Sequence, residues 1–103
     1  MLDVLRKIVI ATEADDEINT AYFWYEKEQT GLGGRFLAAL RRSIYSAALQ
    51  PNFYPIRFDK FRRIKVSKFP YVVYFEHDDE HLKVQSVFHE SRNPSDLDRL
   101  RSS

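Results

Sequence analysis

Arg62, Arg63, Lys65 and Lys68 gather four cations within a short stretch of the chain. Arg63 and Lys65 are two residues apart, so in an extended strand both side chains leave the same face. Cations placed in that way can hold successive phosphates. They can equally form a solvated strand face that keeps a sheet edge from pairing with other chains. The residue types leave both readings open. His89 is a second chemical group of interest, because imidazole titrates near neutrality and serves as a general acid or base. A lone histidine is more often structural. His77 and His81 are four apart, a spacing suited to two ligands on a helix, but they flank Asp78-Asp79-Glu80, which reads as a turn. A weak surface cation site there competes with simple solvated turn residues. The chain has no cysteine, which removes thiolate metal sites, thiol catalysis and disulfides. No Lys-Ser/Thr follows Gly31, Gly33 and Gly34, as a phosphate-binding loop requires, and no serine lies in a nucleophile elbow. The expectation is a chain with no cofactor and no metal.

The elements that must position these groups follow from periodicity. Lys7-Ile8-Val9-Ile10 is short and β-branched, and reads as a strand. Thr12 is placed as the N-cap of a first helix, with carboxylates filling its first turn where the helix dipole favours them. Ala14, Ile18, Ala21, Tyr22 and Tyr25 form the apolar stripe of that helix. Phe23 and Trp24 lie off it, either under a loop or as a patch for a partner. Gly31 reads as the C-terminal stop. A second helix carries Phe36, Leu37, Leu40, Ile44, Ala47 and Ala48 inward and Arg35, Arg41 and Arg42 outward, and Pro51 ends it. A link this short makes the pair an antiparallel hairpin.

Residues 51–61 read as a loop. From Arg62 the period changes to two, with Ile64 and Val66 inward and Arg63 and Lys65 outward. Tyr71-Val72-Val73-Tyr74-Phe75 and Leu82 to Phe88 are two further strands, joined by a three-to-five-residue loop. Asn93-Pro94 can cap a short terminal helix that turns Leu97 and Leu100 to one side. The expected fold is α+β, in the order β-α-α-β-β-β, with the helical hairpin on one face of a mostly antiparallel four-stranded sheet.

Length and charge bound the rest. A chain of 103 residues reads as one domain, 1–103, with a core sufficient for independent folding. Apolar residues make up 44% and charged residues 30%, the balance of a globular protein rather than a disordered one. No apolar run approaches a membrane span and no secretory signal is evident, so a cytoplasmic protein is expected. The net charge is only +1, yet the signs are segregated. Residues 13–28 hold six carboxylates against Lys27, a net −5, and residues 57–68 hold six cations against Asp59, a net +5. The basic surface suits phosphates or an acidic partner segment.

Taken in order, these segments resemble the RelE/ParE superfamily of toxins from bacterial type II toxin–antitoxin systems. The resemblance spans nearly the whole chain. It rests on Ala14 to Tyr25, then Gly31-Leu32-Gly33 with Arg35-Phe36, then Pro51 with Tyr54-Pro55. It continues through Arg62-Arg63-Ile64 and Phe69-Pro70-Tyr71-Val72-Val73-Tyr74 to Val87-Phe88-His89 and Arg92-Asn93-Pro94. The family fold has the β-α-α-β-β-β order expected above.

The resemblance implies a growth-arresting toxin held inactive by a cognate antitoxin, whose C-terminal segment wraps it and can form a hetero-oligomer. RelE-like members cut mRNA on the ribosome, which needs a base, an acid and cations for the developing charge. Their two basic positions on the first strand after the helices match Arg63 and Lys65. The arginine expected on the next strand falls on Val72, and the one expected after the last strand falls on Glu90, with Arg92 as a displaced substitute. Losing one such cation removes about 3–4 kcal/mol of transition-state stabilisation. The Phe-Pro-Tyr segment and the His89 to Pro94 ending resemble instead the ParE branch, whose members poison DNA gyrase. The resemblance therefore favours a non-enzymatic gyrase inhibitor contacting its target through Arg62, Arg63, Lys65, Lys68 and Arg92. The alternative is a ribosome-dependent endoribonuclease using Arg63, Lys65, His89 and Arg92. A non-toxic RNA-binding domain, holding phosphate weakly through the same cations, is the reading from outside the toxins.

Overall fold

The computed structural model describes residues 5–102. Strand β1 (Lys7–Ile10) leads into helix α1 (Thr12–Glu28), and α2 (Leu32–Leu49) returns antiparallel to it. A short 3₁₀ turn (Pro51–Phe53) precedes β2 (Ile56–Phe58), β3 (Phe61–Lys65), β4 (Tyr71–His77) and β5 (His81–His89), and a 3₁₀ segment (Pro94–Ser102) closes the chain. The sheet order is β1-β5-β4-β3-β2, with β1 parallel to β5 and every other pair antiparallel. The expected α+β fold is found, with one strand more than the sequence suggested. The extra strand is β2, inside the stretch read as a loop. It has three residues, two paired to β3 across an irregular register, too few to show an alternation.

Both helix starts differ from expectation. Ala11, not Thr12, occupies the N-cap of α1, and no side chain caps it. Gly31 does not end α1; it stands in the left-handed region at φ 90° as the N-cap residue of α2, where a side chain would be strained. The capping group comes from the preceding helix. Glu26 accepts hydrogen bonds from the Gly31 N–H at 3.0 Å and the Gly33 N–H at 3.1 Å. That carboxylate satisfies two orphan donors and complements the positive end of α2.

The hairpin packs one sheet face. Ala14, Ile18, Ala21 and Tyr25 of α1 and Phe36, Leu40, Ile44 and Ala47 of α2 lie over Ile64, Val73, Phe75, Val84 and Val87. The opposite face is not open. Phe61, Val72, Tyr74 and Phe88 form a second, smaller apolar cluster beneath Leu97 and Leu100 of the terminal segment, each 3% exposed. The expected short terminal helix therefore exists as a 3₁₀ segment. Asn93 caps it, its Oδ1 accepting from the Ser95 N–H at 3.0 Å. Burying each leucine contributes about 1.5–3 kcal/mol toward holding the segment down.

One irregularity decides where the end of β5 points. Tyr74 pairs with Ser86 but Phe75 pairs with Val84, so Gln85 is an extra residue in β5. A bulge of this kind reverses the side-chain alternation beyond it. Leu82 and Val84 face the helices before it, and Val87 does so after it. Phe88 is thereby sent to the far face and His89 to the helix side.

Candidate functional site

On the far face, the outward residues of β3 and β4 meet the chain that leaves β5. Lys65 pairs in register with Val72 and Arg63 with Tyr74, and Val72 pairs with Phe88. Together with Glu90, Arg92, Pro94 and Leu97 they enclose a cleft of about 240 Å³. The structure thus brings Arg63, Lys65 and Arg92 to one place, alongside the two positions that the resemblance marked as substituted.

The three cations differ in availability. Arg63 is exposed and its guanidinium makes no hydrogen bond or ion pair with any described residue, so it is the one ready to meet an anion. Lys65 is occupied. Its Nζ lies 3.2 Å from a Glu90 carboxylate oxygen and donates to the carbonyls of Val66 and Phe69. The Arg92 guanidinium lies over the Phe88 ring, 4.5 Å from its centroid, and pairs with Glu17 at 2.5 Å and Asp96 at 3.5 Å. The floor is apolar. Val72 is 6% exposed, and Tyr74, the hydroxyl-bearing residue there, is 5% exposed with its ring edge-on to Phe58 and Phe88.

The remaining sequence candidates lie elsewhere. Arg62 sits on the helix-side face and donates to the Tyr54 carbonyl at 2.6 Å. Lys68 occupies the β3–β4 turn with φ 71°. His89 is across the sheet from Arg63 and Lys65. Its ring packs edge-on to Tyr71 at 4.9 Å, and its Nδ1 accepts from the Ser91 N–H at 3.0 Å. It has no line to a phosphate held at Arg63.

Sequence reasoning missed Glu17. Strand β1 pairs β5 only as far as Val84, and beyond it the outer edge of β5 has no strand partner among the described residues. Glu17 of α1 takes that place. One carboxylate oxygen accepts from the Val87 N–H at 3.0 Å and the Ser86 Oγ at 2.9 Å; the carboxylate also pairs with Arg92 at 2.5 Å and Arg99 at 3.3 Å. One half-buried carboxylate thus caps the sheet edge and fastens the terminal segment. The available signal was its position on α1, three residues after Ala14 and four before Ala21 of the buried stripe, where a solvated charge is not expected.

Among the described residues no three His, Asp or Glu side chains gather around a point that could hold a cation. His81 pairs with Asp78 at 3.3 Å, and His77 Nδ1 is buried without a hydrogen-bond partner. No described helix is long and apolar enough to cross a membrane.

The model of a family described as the ParE toxin of the type II toxin–antitoxin system parDE matches residues 8–94. The chain belongs to the ParE toxin family. The matched span runs from β1 through Pro94, so it takes in the Glu17–Arg92 pair and stops short of Leu97, Arg99 and Leu100. A solved structure described as the chromosomal ParDE TA system from P. aeruginosa superimposes with a TM-score of 0.71, over 82% of this chain and 96% of that one. Sequence identity is 9%, so the likeness is one of fold. No protein with a curated description matches the chain in sequence. Within a ParE-family toxin, then, the far-face cleft offers one free guanidinium, an apolar floor and a neutralised lysine.

Proposed function

We propose that this ParE-family toxin arrests growth by poisoning DNA gyrase, and that a cognate antitoxin holds it inactive in the cytoplasm. The observation that carries the reading is the state of the far-face cleft. An mRNA-cleaving member needs cations around the scissile phosphate and an acid and base beside it. Here Lys65 is bound to Glu90, Val72 fills the floor, and His89 lies on the opposite face. Those features support a surface that binds rather than one that cuts. Arg63 and the fastened terminal segment are its natural contacts with a gyrase–DNA complex. A disordered antitoxin tail with acidic and apolar side chains would cover the same face, meeting Arg63 with charge and the segment's edge with apolar contact. Residues 1–103 act in this reading as one domain.

Induced expression is the test in cells. The expected result is growth arrest with gyrase trapped on cleaved DNA and translated mRNA left intact. Arrest with cut mRNA and no trapped gyrase would transfer the assignment to the ribosome. Unimpaired growth would transfer it to the non-toxic binding domain.

A further inference from the structure

Between α1 and the end of β5, two adjoining clefts of about 230 and 270 Å³ share Thr20, Ala21, Tyr71 and His89. The larger is walled by rings from three elements: Trp24 and Tyr25 of α1, Tyr71 of β4 and His89 of β5. Successive rings meet edge to face, with centroids 5.2 Å apart for Trp24–Tyr25, 6.2 Å for Tyr25–Tyr71 and 4.9 Å for Tyr71–His89. Each plane turns sharply from the last, by 84°, 65° and 80°, so the rings form a box rather than a stack. Trp24 is 58% exposed, which leaves one wall open to a partner.

The charge around the box selects its occupant. The charged residues lining the smaller cleft are Asp16, Glu17 and Arg92. Glu17 is committed to Arg92 and Arg99, but Asp16 is exposed and makes no ion pair with any described residue. Carboxylates at the mouth repel phosphates and attract cations, and the negative faces of aromatic rings do the same. A planar guanidinium satisfies both features at once, stacking on a ring while its fork of N–H groups meets a carboxylate. The chain already uses that arrangement at Arg92, which lies over Phe88 while paired with Glu17.

We propose that this aromatic box binds the arginine side chain of a protein partner, with the guanidinium against Trp24 and Tyr71 and toward Asp16. The site goes beyond gyrase poisoning and does not depend on it: the rings and Asp16 lie on the helix side, and Arg92, which lines both this site and the Arg63 cleft, is held by Glu17.

Trp24 is the chain's one tryptophan, so its emission reports on the box directly. The intact protein is titrated with N-acetyl-arginine amide and, at matched ionic strength, with the neutral isostere N-acetyl-citrulline amide. The expected result is a saturable emission change with the arginine probe and at least tenfold weaker binding of citrulline. Asp16→Lys should weaken the arginine response at least fivefold, and Thr20→Phe, which fills the shared wall, should abolish it. Both positions are exposed on α1, so neither change disturbs the core. An equal response to citrulline, no saturable change, or an arginine response unaltered in both variants overturns the proposal. A stronger response to a nucleoside monophosphate overturns it too, in favour of a base-binding groove.

Discussion

Glu90 holds Lys65 at 3.2 Å, in the cleft where the chain's basic strand faces outward. The two side chains are 46% and 51% exposed, so the pair contributes only about 0–1 kcal/mol to stability. Its consequence is chemical: the ammonium is satisfied by a carboxylate and two carbonyls, and Arg63 alone is left to meet an anion.

That relationship gives the first prediction. Glu90→Ala releases Lys65 and should shift the unfolding free energy by less than about 1 kcal/mol. Cleavage of translated mRNA should be absent from both proteins, because Val72 and the displaced His89 are unchanged. Urea denaturation and primer extension read the two halves of the prediction.

Glu17 carries a much larger share of the fold. Glu17→Ala removes the acceptor for the Val87 N–H and Ser86 Oγ and one carboxylate that Arg92 and Arg99 share. The expected destabilisation is about 2–4 kcal/mol, since each buried group left unpaired costs about 1–3 kcal/mol. Arg92→Ala, which keeps both edge hydrogen bonds, should cost about 1 kcal/mol. Equal losses in the two variants, measured by urea unfolding, would contradict the edge-capping role.

Much of this architecture was legible in the residues. The helical stripes of α1 and α2 and the alternation of Ile64 and Val66 have strong periods, and Asn93-Pro94 carries its own capping chemistry. What was missed depends on tertiary pairing. Three residues of β2 cannot display a period. Gly31 serves the start of α2 rather than the end of α1 because Glu26 reaches forward from one helix to the next, which no local motif encodes. The bulge at Gln85 was partly readable, since Leu82, Val84 and Val87 break a strict alternation. Its effect on His89 could be judged only with the register known. Glu17 was hidden for a related reason, because nothing local reveals that β1 stops short of the end of β5.

The contact between the helices can be tested at a single atom. A Cβ on Gly33 would sit 2.8 Å from the Tyr22 carbonyl oxygen, whereas one on Gly34 would meet nothing within 4 Å. Gly33→Ala should therefore destabilise by about 1–3 kcal/mol through overpacking. Gly34→Ala should stabilise by about 0.4–1 kcal/mol by restricting the unfolded chain. Thermal melts of the two variants should move in opposite directions.

The β4–β5 turn predicts a pH dependence. The N–H groups of Glu80 and His81 donate to Asp78 Oδ1 at 2.9 and 2.7 Å. These bonds, the Glu80 one foremost, hold its carboxyl below the usual aspartate range. A depressed folded-state pKa gives a contribution that is complete above the unfolded value and lost as pH falls through the folded one. Asp78→Ala should be less stable than the parent at neutral pH, and the gap should narrow as the pH falls below the ordinary aspartate range. A gap that stays constant into acid would contradict the assignment.

The proposed role of the far-face cleft is to bind a gyrase–DNA complex rather than to cut RNA. A supercoiling assay with purified gyrase across a range of toxin concentrations tests it most directly. The expected result is inhibition with accumulation of cleaved DNA, weakened about tenfold by Arg63→Glu, which reverses the one free charge of the cleft. No inhibition at large molar excess, with translated mRNA cut by the same preparation, would contradict it.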